Sequence, residues 1–159
     1  MDPATGVTGA KTAIGAGEIA YKGWSWFSKW RYGTIAITYP QNRAVVHPEW
    51  VEMEGTHNNP KGHFWLFTVR GNEYWPQCRI NLHPDGRWKE HINTGRNPER
   101  RTCIVLLVWV SDFMQSLLED IKDRNTRAQH WGPVKMNPPN RHFSVAHSVA
   151  LNVEPKPSA

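Results

Sequence analysis

Residues 34–56 read TIAITYPQNRAVVHPEWVEMEGT, a run of short strand-like stretches. Thr34–Pro40 is β-branched and alternating, a strand stopped by a proline that cannot donate to a ladder. Ala44–Val46 is a second short strand. Trp50–Thr56 is a third, with Trp50, Glu52 and Glu54 on one face and Val51 and Met53 on the other.

Working towards the C-terminus, HNNPKG (His57–Gly62) is a loop by composition, and HFWLFTVR (His63–Arg70) is a strong strand ended by Gly71-Asn72. Tyr74–Gly95 reads as a hairpin. Cys78, Ile80 and Leu82 alternate before Asp85-Gly86, a pair suited to the positive φ of a tight turn, and Trp88 and Ile92 alternate after it. CIVLLVWV (Cys103–Val110) is continuously apolar at strand length, which predicts a strand buried on both faces. Ser111 or Asp112 can then cap a helix of about 112–125. Its Met114, Leu117, Leu118 and Ile121 fall at i, i+3, i+4 and i+7. His142–Val153 is a last strand, and residues 154–159 are a polar tail.

Short strands joined by turns, with one helix late in the order, predict a mainly β, two-sheet sandwich over residues 34–153. Its expected core is Trp50, Phe64, Leu66, Ile80, Val105, Leu107 and Val145, with a small barrel as the alternative.

Towards the N-terminus the period changes. In KTAIGAGEIAYKGWSWFSKW (Lys11–Trp30), Ala13, Gly17, Ala20, Tyr21, Trp24 and Phe27 recur at helical spacing. Ile19, Trp26 and Trp30 lie off that stripe, so the second half is aromatic nearly all round. Gly15, Gly17 and Gly23 each cost an isolated helix about 1 kcal/mol relative to Ala. Residues 1–33 are therefore expected to be a Trp-rich helical segment that needs a partner surface for order.

The motif ITYPQNRAVVHPEWVEMEGT resembles the opening of bacterial immunoglobulin-like domains. In these a strand, a proline-containing turn and a Val precede a strand closing on Gly-Thr. The matching residues are Ile37, Pro40, Val45 or Val46, Val51, Gly55 and Thr56. The resemblance extends over residues 34–153. It implies an immunoglobulin-like antiparallel β-sandwich and a role in linkage, display or recognition, with no catalytic residues.

The composition narrows the function further. Nine Trp in 159 residues are hard to bury together, so some are expected at a contact surface. A net charge of +5 favours acidic partners only mildly. No secretory pattern, no apolar run of membrane-spanning length and only two cysteines, Cys78 and Cys103, make a reducing cytoplasm the expected setting, with peripheral membrane contact as a variant.

Catalytic and metal patterns are weak. The eight histidines show neither H-x-H nor H-x-x-x-H spacing, and the cysteines are not in C-x-x-C, so no metal site and no cofactor is expected. There is no G-x-S-x-G elbow, and Glu52, Glu54, Glu119, Asp120 and Asp123 read as solvated faces.

Two features carry function. Lys22, Trp24, Trp26, Phe27, Lys29 and Trp30 combine aromatics with cations, as a protein-contact or interfacial helix does. Arg87, Trp88, Arg96, Arg100 and Arg101 could pair phosphates while a ring stacks a base, against the plainer reading of an inward Trp88 and a solvated loop. The expected function is a non-catalytic protein-interaction module presenting the Trp-rich segment to a partner chain or a second copy. Docking on an anionic membrane surface through residues 11–31 is the alternative, and weak single-stranded nucleic-acid binding the second.

Overall fold

The computed structural model describes residues 34–97, 99–128 and 141–157. The Trp-rich segment 1–33, with Lys22, Trp24, Trp26, Phe27, Lys29 and Trp30, lies outside the described residues. Eight strands are described: β1 (Ile35–Tyr39), β2 (Val45–Val46), β3 (Trp50–His57), β4 (His63–Arg70), β5 (Glu73–Arg79), β6 (Arg87–Asn93), β7 (Arg101–Val110) and β8 (Phe143–Val153). One helix, α1 (Asp112–Ala128), joins the outgoing end of β7 to the segment before β8.

The strands form a three-stranded sheet, β1-β3-β6, and a five-stranded sheet, β2-β8-β7-β4-β5. This mainly β, two-sheet arrangement is the expected one. All described pairs are antiparallel except β2 with β8, which run parallel. The alternation read from residues 34–56 explains the packing between the sheets. Ile35, Ile37, Val51 and Met53 point inward and meet Phe64, Leu66, Val105 and Leu107 of the larger sheet. β7 is apolar on both faces because the larger sheet has two covers. Cys103, Val105 and Leu107 face the smaller sheet, while Ile104, Leu106, Val108 and Val110 join Trp65, Phe67 and the helical Met114 and Leu118 on the other side.

Helix α1 begins where its capping residue predicts. Ser111 Oγ accepts the Met114 N–H at 3.2 Å, satisfying one of the amides that a helix start leaves without an intrahelical partner. The helix runs to Ala128 rather than to about residue 125.

Three expectations are corrected. Tyr74–Gly95 is not a hairpin within one sheet: β5 pairs with β4, and β6 pairs with β3 over seven register positions. The Asp85-Gly86 turn forms, with Gly86 at φ 85° and the Gly86 N–H donating to the His83 carbonyl at 3.1 Å, but it passes the chain between sheets. Trp50 is not core but 63% exposed. Val145 is buried, but on the helix side of the larger sheet. The register between β7 and β8 shifts between Leu107 and Val108, pairing Leu107 with His147 and Val108 with Val145. Ala146 is thus the extra residue of a bulge, and parity counted back from Leu151 inverts there.

Side chains close both lateral openings of the sandwich. On the β1 side, His147 Nδ1 accepts the Ile37 N–H at 2.8 Å. On the β5–β6 side, Gln77 Oε1 accepts the Asn93 N–H at 2.8 Å, while Gln77 Nε2 donates to Thr68 Oγ1 at 3.0 Å. Edge amides satisfied this way are poor templates for added strands.

Candidate binding surface around Trp50

On β3, Val51 and Met53 face the core, so Trp50, Glu52 and Glu54 must face out. Register pairs Trp50 with Asn93, Glu52 with His91 and Glu54 with Lys89. Lys89 Nζ lies 3.3 Å from both Glu52 Oε1 and Glu54 Oε1, and His91 Nε2 lies 3.6 Å from Glu52 Oε2. These ion pairs are exposed, and they set both carboxylates against neighbouring side chains of the adjacent strand.

Trp50 is different, because it stands at the sandwich end where β1 hands over to β2. Tyr39 (53% exposed) and Val45 (55% exposed) line the same open trough, about 920 Å³, with Pro40, Pro48 and Pro155. Glu49 lies within it, its Oε1 accepting from Arg96 Nε at 2.9 Å. The other exposed large apolar side chain among the described residues, Phe113, sits away at the start of α1, its ring 5.2 Å from that of His142. Three of four such side chains thus converge on one concavity.

A second concavity, about 490 Å³, shares Glu49, Trp50 and Arg96 with the trough and reaches Thr68, Arg70 and Trp75. The Arg70 guanidinium carbon stands 5.8 Å from the Trp75 ring centroid. Arg70 Nη2 and Arg101 Nη2 each donate to the Thr94 carbonyl at 2.6 Å.

The basic–aromatic set is dispersed. Trp88 is buried in the core between the sheets, so its ring has no free face for a base. Arg87 opens β6, while Arg96, Arg100 and Arg101 follow its far end, about 20 Å along the strand. Arg96 pairs with Glu49, Arg100 Nε lies 4.0 Å from Glu154, and Arg101 is spent on the carbonyls of Thr94, Gly95, Asn97 and Glu99.

Reactive chemistry is equally restrained. Both cysteines are free, and burial pushes the Cys78 thiol up to about 12 and Cys103 to about 11, so both stay protonated near neutrality. Ser111 Oγ lies 2.9 Å from His142 Nδ1, but Arg141 Nε donates to His142 Nε2 at 3.1 Å. That leaves the ring proton on Nδ1 of the neutral imidazole, so His142 donates to the hydroxyl instead of withdrawing its proton. Among the described residues no group of three or more His, Cys, Asp or Glu could hold a metal ion, and no helix is long and apolar enough to cross a membrane.

Tyr39, Val45 and Trp50 carry no recognisable motif. For Trp50 a signal existed: its shared face with Glu52 and Glu54 places it outside. Nothing local reveals that Tyr39 and Val45, six residues apart across a turn, border the same trough. Neither the protein-family models nor the curated proteins compared with this chain include a match to it.

Proposed function

We propose that this chain is a non-catalytic interaction module of immunoglobulin-like architecture that docks a partner protein. Two aromatic elements serve that role: the surface around Trp50, and the Trp-rich segment with Lys22, Trp24, Trp26, Phe27, Lys29 and Trp30. The architecture is supported by the strand order. Immunoglobulin-like sandwiches keep their first, second and fifth strands A, B and E on one sheet and C, F and G on the other. With β2 as a short offshoot of the first strand and β5 as an addition beside C, chain order makes β1, β3 and β6 the first set and β4, β7 and β8 the second.

The single observation that carries the function is the convergence of Tyr39, Val45 and Trp50 on one open trough. Exposed Trp and Tyr with flat proline faces suit an extended apolar peptide, and a buried aromatic anchor contributes about 2 kcal/mol or more to an interface. The flanking Glu49–Arg96 pair would form its polar rim.

A photo-crosslinking side chain placed at position 45 in the full chain tests this reading. A single protein should be captured, and a peptide from the captured region should bind the purified chain and lose at least tenfold in affinity with Trp50→Ala. Flotation with anionic vesicles, or nanomolar binding of single-stranded oligonucleotides at physiological salt, would instead assign the membrane or nucleic-acid function.

A further inference from the structure

We infer that the smaller concavity, between β5 and the ends of β3 and β6, is a binding site for a six-membered ring bearing a carboxylate. This inference stands apart from the protein-docking proposal, because Arg70, Trp75 and Gln77 line this cavity and not the outer trough.

The first argument is hydrogen-bond accounting. Of the acceptors lining the cavity, Gln77 Oε1 takes the Asn93 N–H at 2.8 Å, and Asn93 Oδ1 takes the Gly95 N–H at 2.7 Å. Glu49 Oε1 takes Arg96 Nε–H at 2.9 Å, and Thr68 Oγ1 takes Gln77 Nε2–H at 3.0 Å, which leaves Glu49 Oε2 as the one side-chain acceptor of the lining without a partner among the described residues. Donors are left over. Arg70 spends Nη2 on the Thr94 carbonyl, but its Nε and Nη1 have no hydrogen-bond partner among the described residues, nor do Asn93 Nδ2 and the terminal nitrogens of Arg96. A ligand rich in acceptor oxygens matches that surplus.

Charge is the second argument. Arg70 and Arg96 face one carboxylate, Glu49, which Arg96 already pairs. Arg70 has no ion-pair partner among the described residues. Nη2 keeps a second N–H beside the one given to Thr94, so one guanidinium edge, Nε–Nη2 or Nη1–Nη2, still presents the planar two-donor fork suited to a carboxylate. The walls supply the third argument: Trp75, beneath the Arg70 guanidinium, and Trp50 at the rim offer flat apolar faces. At about 490 Å³ the cavity lies within the usual range for small-molecule sites. Carboxylate on Arg70 and ring against tryptophan satisfy all three at once.

Such a ring has two sources, a uronic acid pyranose or an aromatic acid, and the experiment separates them. The full chain is titrated with methyl glucuronide and with benzoate, each beside its neutral methyl ester, following the indole N–H resonances of Trp50 and Trp75 by NMR. A fragment of this size should bind with a Kd on the order of 1 mM. At least one acid should shift those two resonances saturably and bind about tenfold tighter than its ester. Arg70→Gln should remove that preference and Arg100→Gln should keep it. Equal binding of acid and ester, or no saturable shift with either acid well above that concentration, overturns the inference. Should Arg70→Gln fail to fold, the acid–ester comparison on the unaltered chain decides. A peptide that docks at Tyr39 and Val45 without moving the Trp75 resonance supports the docking proposal independently.

Discussion

Gly55 and Trp88 are directly opposed across β3 and β6, and the indole occupies the space that a side chain at position 55 would need. A Cβ built on Gly55 would fall inside contact distance of both the Ala36 carbonyl oxygen and Trp88 Cε2 and Cζ2. Backbone cannot yield as a flexible side chain would. Gly55→Ala should therefore destabilise the fold by about 3 kcal/mol or more, at the upper end of overpacking costs. Trp88→Ala should cost about 3–5 kcal/mol, as large-to-small core changes do. Trp88→Phe should cost less, since Trp88 Nε1 is a buried donor without a partner among the described residues, and its removal offsets part of the lost packing. Denaturant unfolding of the four proteins with the Gly55→Ala/Trp88→Phe double variant checks the coupling. Strict additivity would show that the indole is not the obstacle.

Trp50 predicts the opposite pattern. With 63% of it exposed, Trp50→Ala should change stability by no more than about 0.5 kcal/mol. A midpoint shift as large as that of Trp88→Ala would mean that Trp50 supports the fold and that the trough is not a docking surface.

His147 links stability to pH. Its Nδ1 accepts from the Ile37 amide, which requires a lone pair and hence the neutral ring, and burial holds its pKa below the ordinary 6.5. The unfolded chain therefore binds the proton more readily. The stabilising contribution is complete above pH 6.5 and is lost as pH falls through the lower folded value. His147→Asn retains an acceptor for Ile37 but cannot titrate. The stability difference between the original chain and this variant, measured by urea titration from pH 7.5 to 5, should shift in the variant's favour as pH falls. A difference that does not vary with pH would remove His147 as the titrating group.

The thiols should be silent in the folded protein. With Cys78 raised to about 12 and Cys103 to about 11, the thiolate fraction at pH 8 is about one part in a thousand or less, and only the thiolate attacks. A disulfide reagent at pH 8 should label neither cysteine in buffer and both in denaturant. Rapid labelling of Cys78 in buffer would show that β5 opens at the sheet edge.

Much of the architecture is legible in the sequence because strand period is a local property. Ile35 with Ile37 and Val51 with Met53 each announce an inward face by alternation alone, and the unbroken run Cys103–Val110 announces a strand with two covers. Ser111 and the spacing of Met114 and Leu118 announce a capped amphipathic helix in the same way. The free ring faces and spare donors of the candidate sites are not local properties, because they depend on which groups other segments have already used.

Pairing is likewise non-local. The alternation of Trp88 and Ile92 is equally compatible with β5 or β3 as partner, and a tight turn specifies reversal without specifying the sheet. Val145 was displaced to the helix side by a bulge at Ala146, a one-residue insertion that inverts parity and leaves no mark in composition. Tyr39, Val45 and Trp50 became neighbours only when β1 and β2 were assigned to opposite sheets. The amino-acid sequence by itself determined which side of each regular strand is apolar, since that follows from bonds between adjacent residues. Tertiary structure decided which strands meet, where the alternation breaks and which aromatics stay in water, because those outcomes minimise the free energy of the whole packed chain.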